Sequence, residues 1–149
     1  MKIGIQTWGS HGDTRSFIAL AEDPQHAGHD VTVYVTCLSG TDYRKTAGEN
    51  GFNLKHISSA FPDNKEDVEE FAAQILKSRF LRQLELIIEM TFIPVESEMY
   101  QAAEQLCQNN EVIIGHHAHY PIQITAKKYK RPYASVTLTH AAIPGKMFP

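Results

Sequence analysis

The segment Gly9-Ser10-His11-Gly12-Asp13-Thr14 constrains this chain more than any other. It sits between the apolar pattern Ile3-Gly4-Ile5 and the run Phe17-Ile18-Ala19-Leu20-Ala21. A strand, a glycine-bearing turn and a helix make the opening of an α/β unit, and such folds place ligands outside the carboxyl ends of their strands. Asp13 adds a carboxylate at the expected helix start. A carboxylate in a cleft can serve as a general base, which a phosphate-cradling loop does not need. It can equally cap the helix, as can Thr14.

The rest of the N-terminal third continues the pattern. Residues 2–7 read as a buried strand, and Phe17, Leu20 and Ala21 have helical spacing up to Gly28, a good helix terminator. Pro24 falls inside that helix. It removes a backbone hydrogen bond and clashes with the preceding turn, so the helix is expected to kink or stop near Asp23. Val31-Thr32-Val33-Tyr34-Val35 is β-branched and continuous, as in a central parallel strand. Gly48, Asn50 and Gly51 mark a turn, and Phe52 to Ile57 alternates as a third strand nearer the edge. Three strands joined by crossovers predict a Rossmann-like, doubly wound parallel α/β sheet with helices on both faces.

The middle of the chain is helical. Asp63 or Asn64 is a candidate cap for a helix whose buried face is Val68, Phe71, Ala72, Ile75 and Leu76. A second apolar stretch runs from Phe80 to Ile93 and is interrupted by Pro94. A third helix carries Met99, Ala102, Ala103 and Leu106 on one face. Val112-Ile113-Ile114 is a short buried strand, Tyr120 to Tyr129 a helix with Pro121 in its first turn, and Ala134 to Leu138 the last strand. Ala141 to Pro149 reads as a loop with apolar Met147 and Phe148. It is an unusual ending for a finished domain, and suggests truncation or an expected partner.

Composition narrows the function classes. A length of 149 residues fits one domain. The net charge of −3 gives no electrostatic case for nucleic acid. Lys127-Lys128-Tyr129-Lys130-Arg131 reads as a solvated helix end. The two cysteines, Cys37 and Cys107, form no CxxC pair and fit a reducing compartment. No secretory leader is expected before Ile3, and no apolar run approaches the ~20 residues of a membrane span. The expectation is a cytoplasmic protein, with peripheral membrane contact open.

The turn, together with His26-Ala27-Gly28-His29-Asp30-Val31-Thr32-Val33, resembles a family signature. It is similar to the N-terminal domain of GT-B glycosyltransferases of family 28 and its relatives, which include sterol glucosyltransferases and enzymes that glycosylate antibiotic aglycones. The resemblance implies an inverting transfer of a hexose from a nucleotide sugar, such as a UDP- or dTDP-hexose, to an acceptor hydroxyl. Neither a metal nor a further cofactor is implied. It makes Asp13 the candidate general base, an effect worth ~10²–10⁴-fold in rate. A carboxylate held by backbone N–H groups is a weaker base, so capping and catalysis compete. Residues 1–149 would be one Rossmann-like domain, with the family's nucleotide-sugar-binding C-terminal domain absent. Such a chain supplies the acceptor side and the base, and is expected to be inactive alone.

The chain departs from the family pattern at two places. His11 stands where arginine is usual; as a histidine it could relay a proton, or be an exposed turn residue. Asp23-Pro24 replaces helix formers, commonly Gly-Leu.

His116-His117-Ala118-His119 follows the strand at Val112. Three histidines suggest zinc or nickel, but no Cys or acid nearby offers a fourth ligand. With Ser10 and Gly12, the histidines His116, His117 and His119 are read as lining the acceptor cleft, and one of them could orient Asp13; an ordinary polar loop is the alternative. The apolar stretch from Phe80 to Met99 fits a lipophilic acceptor such as a sterol, lipid or polyketide, with core packing claiming most of its residues. A dinucleotide cradle at Gly9 and Gly12 is disfavoured, because the full G-x-G-x-x-G pattern and an acid closing the second strand are missing. The non-catalytic readings are a stand-alone or split-enzyme subunit that binds a partner donor domain or hydrophobic ligand, and a degenerate gene fragment.

Overall fold

The first strand, β1 (Lys2–Gly9), lies at the centre of a five-stranded, wholly parallel sheet. It pairs on one side with β2 (Asp30–Cys37) and on the other with β4 (Val112–His116). The edges are β3 (Asn53–His56) and β5 (Tyr133–Val136), giving the order β3-β2-β1-β4-β5. A computed structural model describes residues 1–58 and 65–138, the side chains of 65–68 excepted. The expected cap at Asp63 or Asn64, the side chain of Val68 and the loop from Ala141 to Pro149 lie outside the described residues.

Both faces are covered, as a parallel sheet of β-branched strands requires. The odd-numbered residues Ile3, Ile5, Val31, Val33 and Val35 pack against Phe17, Ile18 and Ala21 of α1 (His11–His26). The opposite face packs Ile113 against α5 (Glu96–Asn109) and α6 (Tyr120–Lys128), through Leu106, Cys107, Ile122 and Ala126. Phe17 and Ile5 are fully buried. Each such side chain contributes about 1.5–3 kcal/mol of hydrophobic stabilisation. Cys37 and Cys107 are free thiols, one in each of these two clusters. Pro121 sits in the first turn of α6, and Lys127 and Lys128 in its last turn, as the sequence predicts.

Four expectations are corrected. Pro24 does not stop α1, which runs on to His26. Pro24 stands close enough to the end that its own carbonyl accepts the His29 N–H at 3.0 Å while Gln25 accepts the Gly28 N–H at 3.0 Å. This crossed pair, with Gly28 at φ 84°, is a Schellman ending. It confines the damage to one missing N–H donor beside Leu20, which is partly exposed.

The helix also begins earlier than expected. Its cap is Ser10, so Asp13 is the third helical residue and Thr14 the fourth. Third, the expected turn around Gly48 is a short helix, α2 (Arg44–Asn50), ended by Gly51 at φ 78°.

The fourth correction concerns the apolar middle. In α3 (Lys65–Lys77) Phe71 is buried and Ile75 half-buried, but Ala72 is exposed and Leu76 is 82% exposed. The stretch beginning at Phe80 is α-helical only over α4 (Phe80–Ile87). A π-helical turn then spans Ile88–Phe92, and a 3₁₀ turn spans Ile93–Val95 with Pro94 near its start. Core packing claims Leu86, Phe92 and Val95, but Phe80, Leu81, Leu84, Ile88, Met90 and Ile93 are exposed.

The sequence carries one continuous helical stripe, Leu84, Ile88, Thr91, Val95, Met99, Ala102 and Leu106. The structure exposes its first two members and buries the rest. A π turn adds a residue to the helical count, and one residue is about 100° of rotation, so the two halves face different ways. The Thr91 hydroxyl bonds back to the Ile87 carbonyl at 2.6 Å within that turn.

Candidate functional site

In an open parallel sheet the cleft opens where the strand order reverses, at the carboxyl ends. Here that point lies between β1 and β4, and the loops leaving these strands carry the turn residues and the histidine cluster. Residues a hundred positions apart in sequence therefore converge because their strands are neighbours.

The turn is built around Gly9. Its φ of 148° is one that residues with side chains rarely adopt, and a Cβ there would lie 2.5 Å from Asp13 Oδ2. The Asp13 carboxylate thus rests on bare backbone. Its Oδ2 accepts the Ser10 N–H and the Ser10 hydroxyl, each at 2.9 Å. This is the returning half of a capping box, with aspartate in the usual Glu/Gln position. No hydrogen bond reaches Oδ1 among the described residues, so one oxygen is fixed and the other is available. Asp13 is half-buried, while Ser10, His11 and Gly12 are exposed.

Across the cleft, His116 ends β4 and is buried. Its Nδ1 accepts the Ala118 N–H at 3.2 Å, which places its proton on Nε2. Burial holds its pKa below the usual value, as does neighbouring His117, and the negative charge of Asp13 opposes them. The two loops therefore act on one another electrostatically. The His116 ring also lies 5.8 Å from that of Phe17 on α1 and 4.3 Å from that of His117.

The other predicted residues separate. His11 turns to the loop after β2, where its Nδ1 lies 2.6 Å from the Tyr43 hydroxyl and the two rings stack. His117 is half-buried and its carbonyl accepts from Gln123 at 2.8 Å. His119 is fully buried under Phe92, with no hydrogen bond to either ring nitrogen among the described residues. It is packing beneath the cleft rather than lining in it. Among the described residues, no three His, Cys, Asp or Glu side chains are grouped to hold a metal ion.

Burial drives the His119 pKa down to about 3 from the usual 6.5. The folded protein therefore refuses a proton that the unfolded chain accepts below about pH 6.5, and stability falls as pH drops from there towards 3. His119→Phe is expected to flatten this acid slope and to leave stability at pH 7 equal or higher, since it removes two unpaired buried nitrogens. Urea midpoints measured between pH 4 and 7 on both proteins check this; parallel slopes would exclude it.

Sequence reasoning missed Trp8, Thr91 and Tyr43, and took Phe92 only as part of the apolar stretch. The Trp8 indole N–H points to the Thr91 carbonyl at 3.4 Å, and its ring meets Phe92 edge-on at 5.0 Å. Phe92 in turn lies 5.0 Å from the Tyr120 ring. These contacts fasten the π turn, and with it the exposed apolar ridge, to the carboxyl end of β1. Position alone could have flagged Trp8 and Tyr43, because both lie at or just after strand ends on the ligand side of the sheet.

No protein-family model and no curated protein sequence matches the chain. Several solved structures share its fold. The glycosyltransferase SnogD from Streptomyces nogalater matches over 95% of this chain and 35% of its own, with 16% identity and a TM-score of 0.61. TcCGT1, solved in complex with UDP, matches over 94% of this chain and 29% of its own, with 10% identity and a TM-score of 0.59. The C-terminal domain of the PF1911 hydrogenase from Pyrococcus furiosus matches over 89% of both chains, with 12% identity and a TM-score of 0.57. The chain spans about a third of the length of SnogD and of TcCGT1. What is shared at these identities is the fold: a Rossmann-like parallel sheet of the kind found in glycosyltransferases and elsewhere.

Proposed function

We propose that this chain is the acceptor-binding half of an inverting glycosyltransferase, with Asp13 as its general base. The observation that carries the reading is the half-tethered Asp13 carboxylate at the strand-order reversal, within electrostatic reach of His116. In the reaction, Asp13 Oδ1 takes the proton of an acceptor hydroxyl as that oxygen bonds to the anomeric carbon of the sugar. The bond to the nucleoside diphosphate breaks on the opposite face, and the configuration inverts. Ser10 positions Asp13, and neutral His116 is placed to hydrogen-bond the acceptor or the proton-bearing carboxyl. A metal is not required for these steps.

The donor is read as a UDP- or dTDP-hexose, held by a nucleotide-binding domain supplied in cis or in trans. The UDP in TcCGT1 supports a nucleotide partner for this fold. The exposed side chains Leu84, Ile88, Met90 and Ile93 suit a sterol, lipid or polyketide-like acceptor. The same exposed side chains also suit peripheral contact with a membrane from the cytoplasmic side. No described helix is long and apolar enough to cross a membrane.

Trp8 is the single tryptophan of the chain and lies under the cleft, so its fluorescence tests the reading. Hydroxylated lipophilic compounds are expected to change the emission saturably, and Ile88→Glu with Ile93→Glu to abolish the effect. An unchanged emission across sterol, polyketide and glycolipid-aglycone probes would count against an acceptor site. The exposed ridge also favours a second reading, a non-catalytic subunit that binds a partner through these side chains. That reading predicts association without any small-molecule response.

A further inference from the structure

A second chemical site lies beside the first, at the end of β2. Cys37 belongs to the cluster that faces α1, yet it also borders a cavity of about 280 Å³ shared with Thr41, Asp42, Arg44 and His56. Its sulfur lies 3.1 Å from the Ser39 hydroxyl, which in turn is 2.9 Å from that of Thr41. Thr14 sits one turn before Phe17 and Ile18 on the same helix face. Its hydroxyl is fully buried and has no hydrogen-bond partner among the described residues.

A buried hydroxyl without a partner is uncommon and needs an acceptor. The Thr14 hydroxyl stands near enough to the Cys37 sulfur to favour negative charge there, without a formed hydrogen bond. Burial alone would raise the thiol pKa. The Ser39 hydroxyl and N–H, the Thr14 hydroxyl and the Thr41 N–H outweigh it, and the net shift is downward. Cys107 shows the contrast: it is fully buried against α6, and burial pushes its pKa up to about 11.

We propose that Cys37 is a site of oxidation by hydroperoxides, with the cavity admitting the peroxide and Thr14 receiving the new oxygen. The thiolate sulfur attacks the nearer peroxide oxygen. An S–O bond forms as the O–O bond breaks, the sulfur is oxidised to a sulfenate, and the peroxide is reduced. The departing hydroxide takes the proton of the oxygen left on sulfur, so the products are sulfenate and water. The sulfenate oxygen then accepts the hydrogen bond that Thr14 otherwise lacks. Cys107 lies on the opposite face of the sheet, so the product is not drawn off as an internal disulfide. The inference does not depend on sugar transfer.

The test treats the folded 149-residue protein with hydrogen peroxide, traps sulfenate with dimedone and maps the peptides. Trapping at Cys37 is expected to exceed that at Cys107 by roughly tenfold or more, as thiolate character dictates. Thr14→Val, which removes the hydroxyl and keeps the shape, is expected to slow trapping severalfold while leaving circular dichroism and melting unchanged. Absence of adduct on Cys37 in the folded protein overturns the proposal. So does labelling of both cysteines only after unfolding, or an unchanged rate in a folded Thr14→Val protein.

Discussion

Asp13→Asn, assayed with the donor-binding half present, is expected to lower sugar transfer by roughly 10²–10⁴-fold, the usual worth of a positioned general base. The fold should barely notice. Asparagine keeps an oxygen that accepts the Ser10 N–H and hydroxyl, so the returning half of the capping box survives. Only the negative charge at the helix start is lost, a change of about 0.3–1 kcal/mol. The two readouts must therefore separate: a near-wild-type melting curve with a collapsed rate. An active Asp13→Asn enzyme removes the base from the mechanism, whereas a melted one shows that the carboxylate was chiefly a cap. Asp13→Ala supplies the comparison, since it loses the cap as well and should cost about 1 kcal/mol.

Gly9→Ala is expected to damage both properties at once. The backbone at φ 148° is hostile to any side chain, and the added methyl would sit 2.5 Å from Asp13 Oδ2 and 2.8 Å from Asp13 Cβ. A strained conformation of this kind costs about 1–3 kcal/mol, and moving the carboxylate adds to that. A loss of about 2–4 kcal/mol in denaturant unfolding is the expected total. Since Asp13 must shift to make room, transfer should also fall under conditions where the variant is still folded. A Gly9→Ala protein of unchanged stability would mean that the turn is held less tightly than this geometry requires.

The strands were legible in the sequence because each signal came from within the strand. Val31 to Val35 and Val112 to Ile114 are continuous β-branched runs, and a parallel sheet covered on both faces demands such runs. The glycine turn was legible for the same reason, as local chemistry with one outcome. The failures share a different cause: information that is not local. Pro24 is tolerated because of hydrogen bonds made by Gly28 and His29 further on. The separation of His11 from the other site residues depends on Tyr43, which only the packing of the β2 loop brings to it. His119 reads as a cleft residue beside His116, and it becomes a buried one because Phe92 lies over it. The general position of the candidate site could thus be read from spacing, but not which of its side chains point into it.

The π turn between Ile88 and Phe92 gives the helical region a property akin to a reading frame. Upstream of it, Leu84 and Ile88 look outward; downstream, Val95, Met99 and Leu106 on the same sequence stripe look into the protein. Deleting one residue there restores ordinary helical counting and should swing the upstream segment by about 100°. The exposed side chains of Leu84 and Ile88 would then rotate away, with no change in the residues themselves. Insertion or loss of a single codon at this seam would therefore change the surface these helices present while leaving the glycine turn and the sheet beneath it as they are.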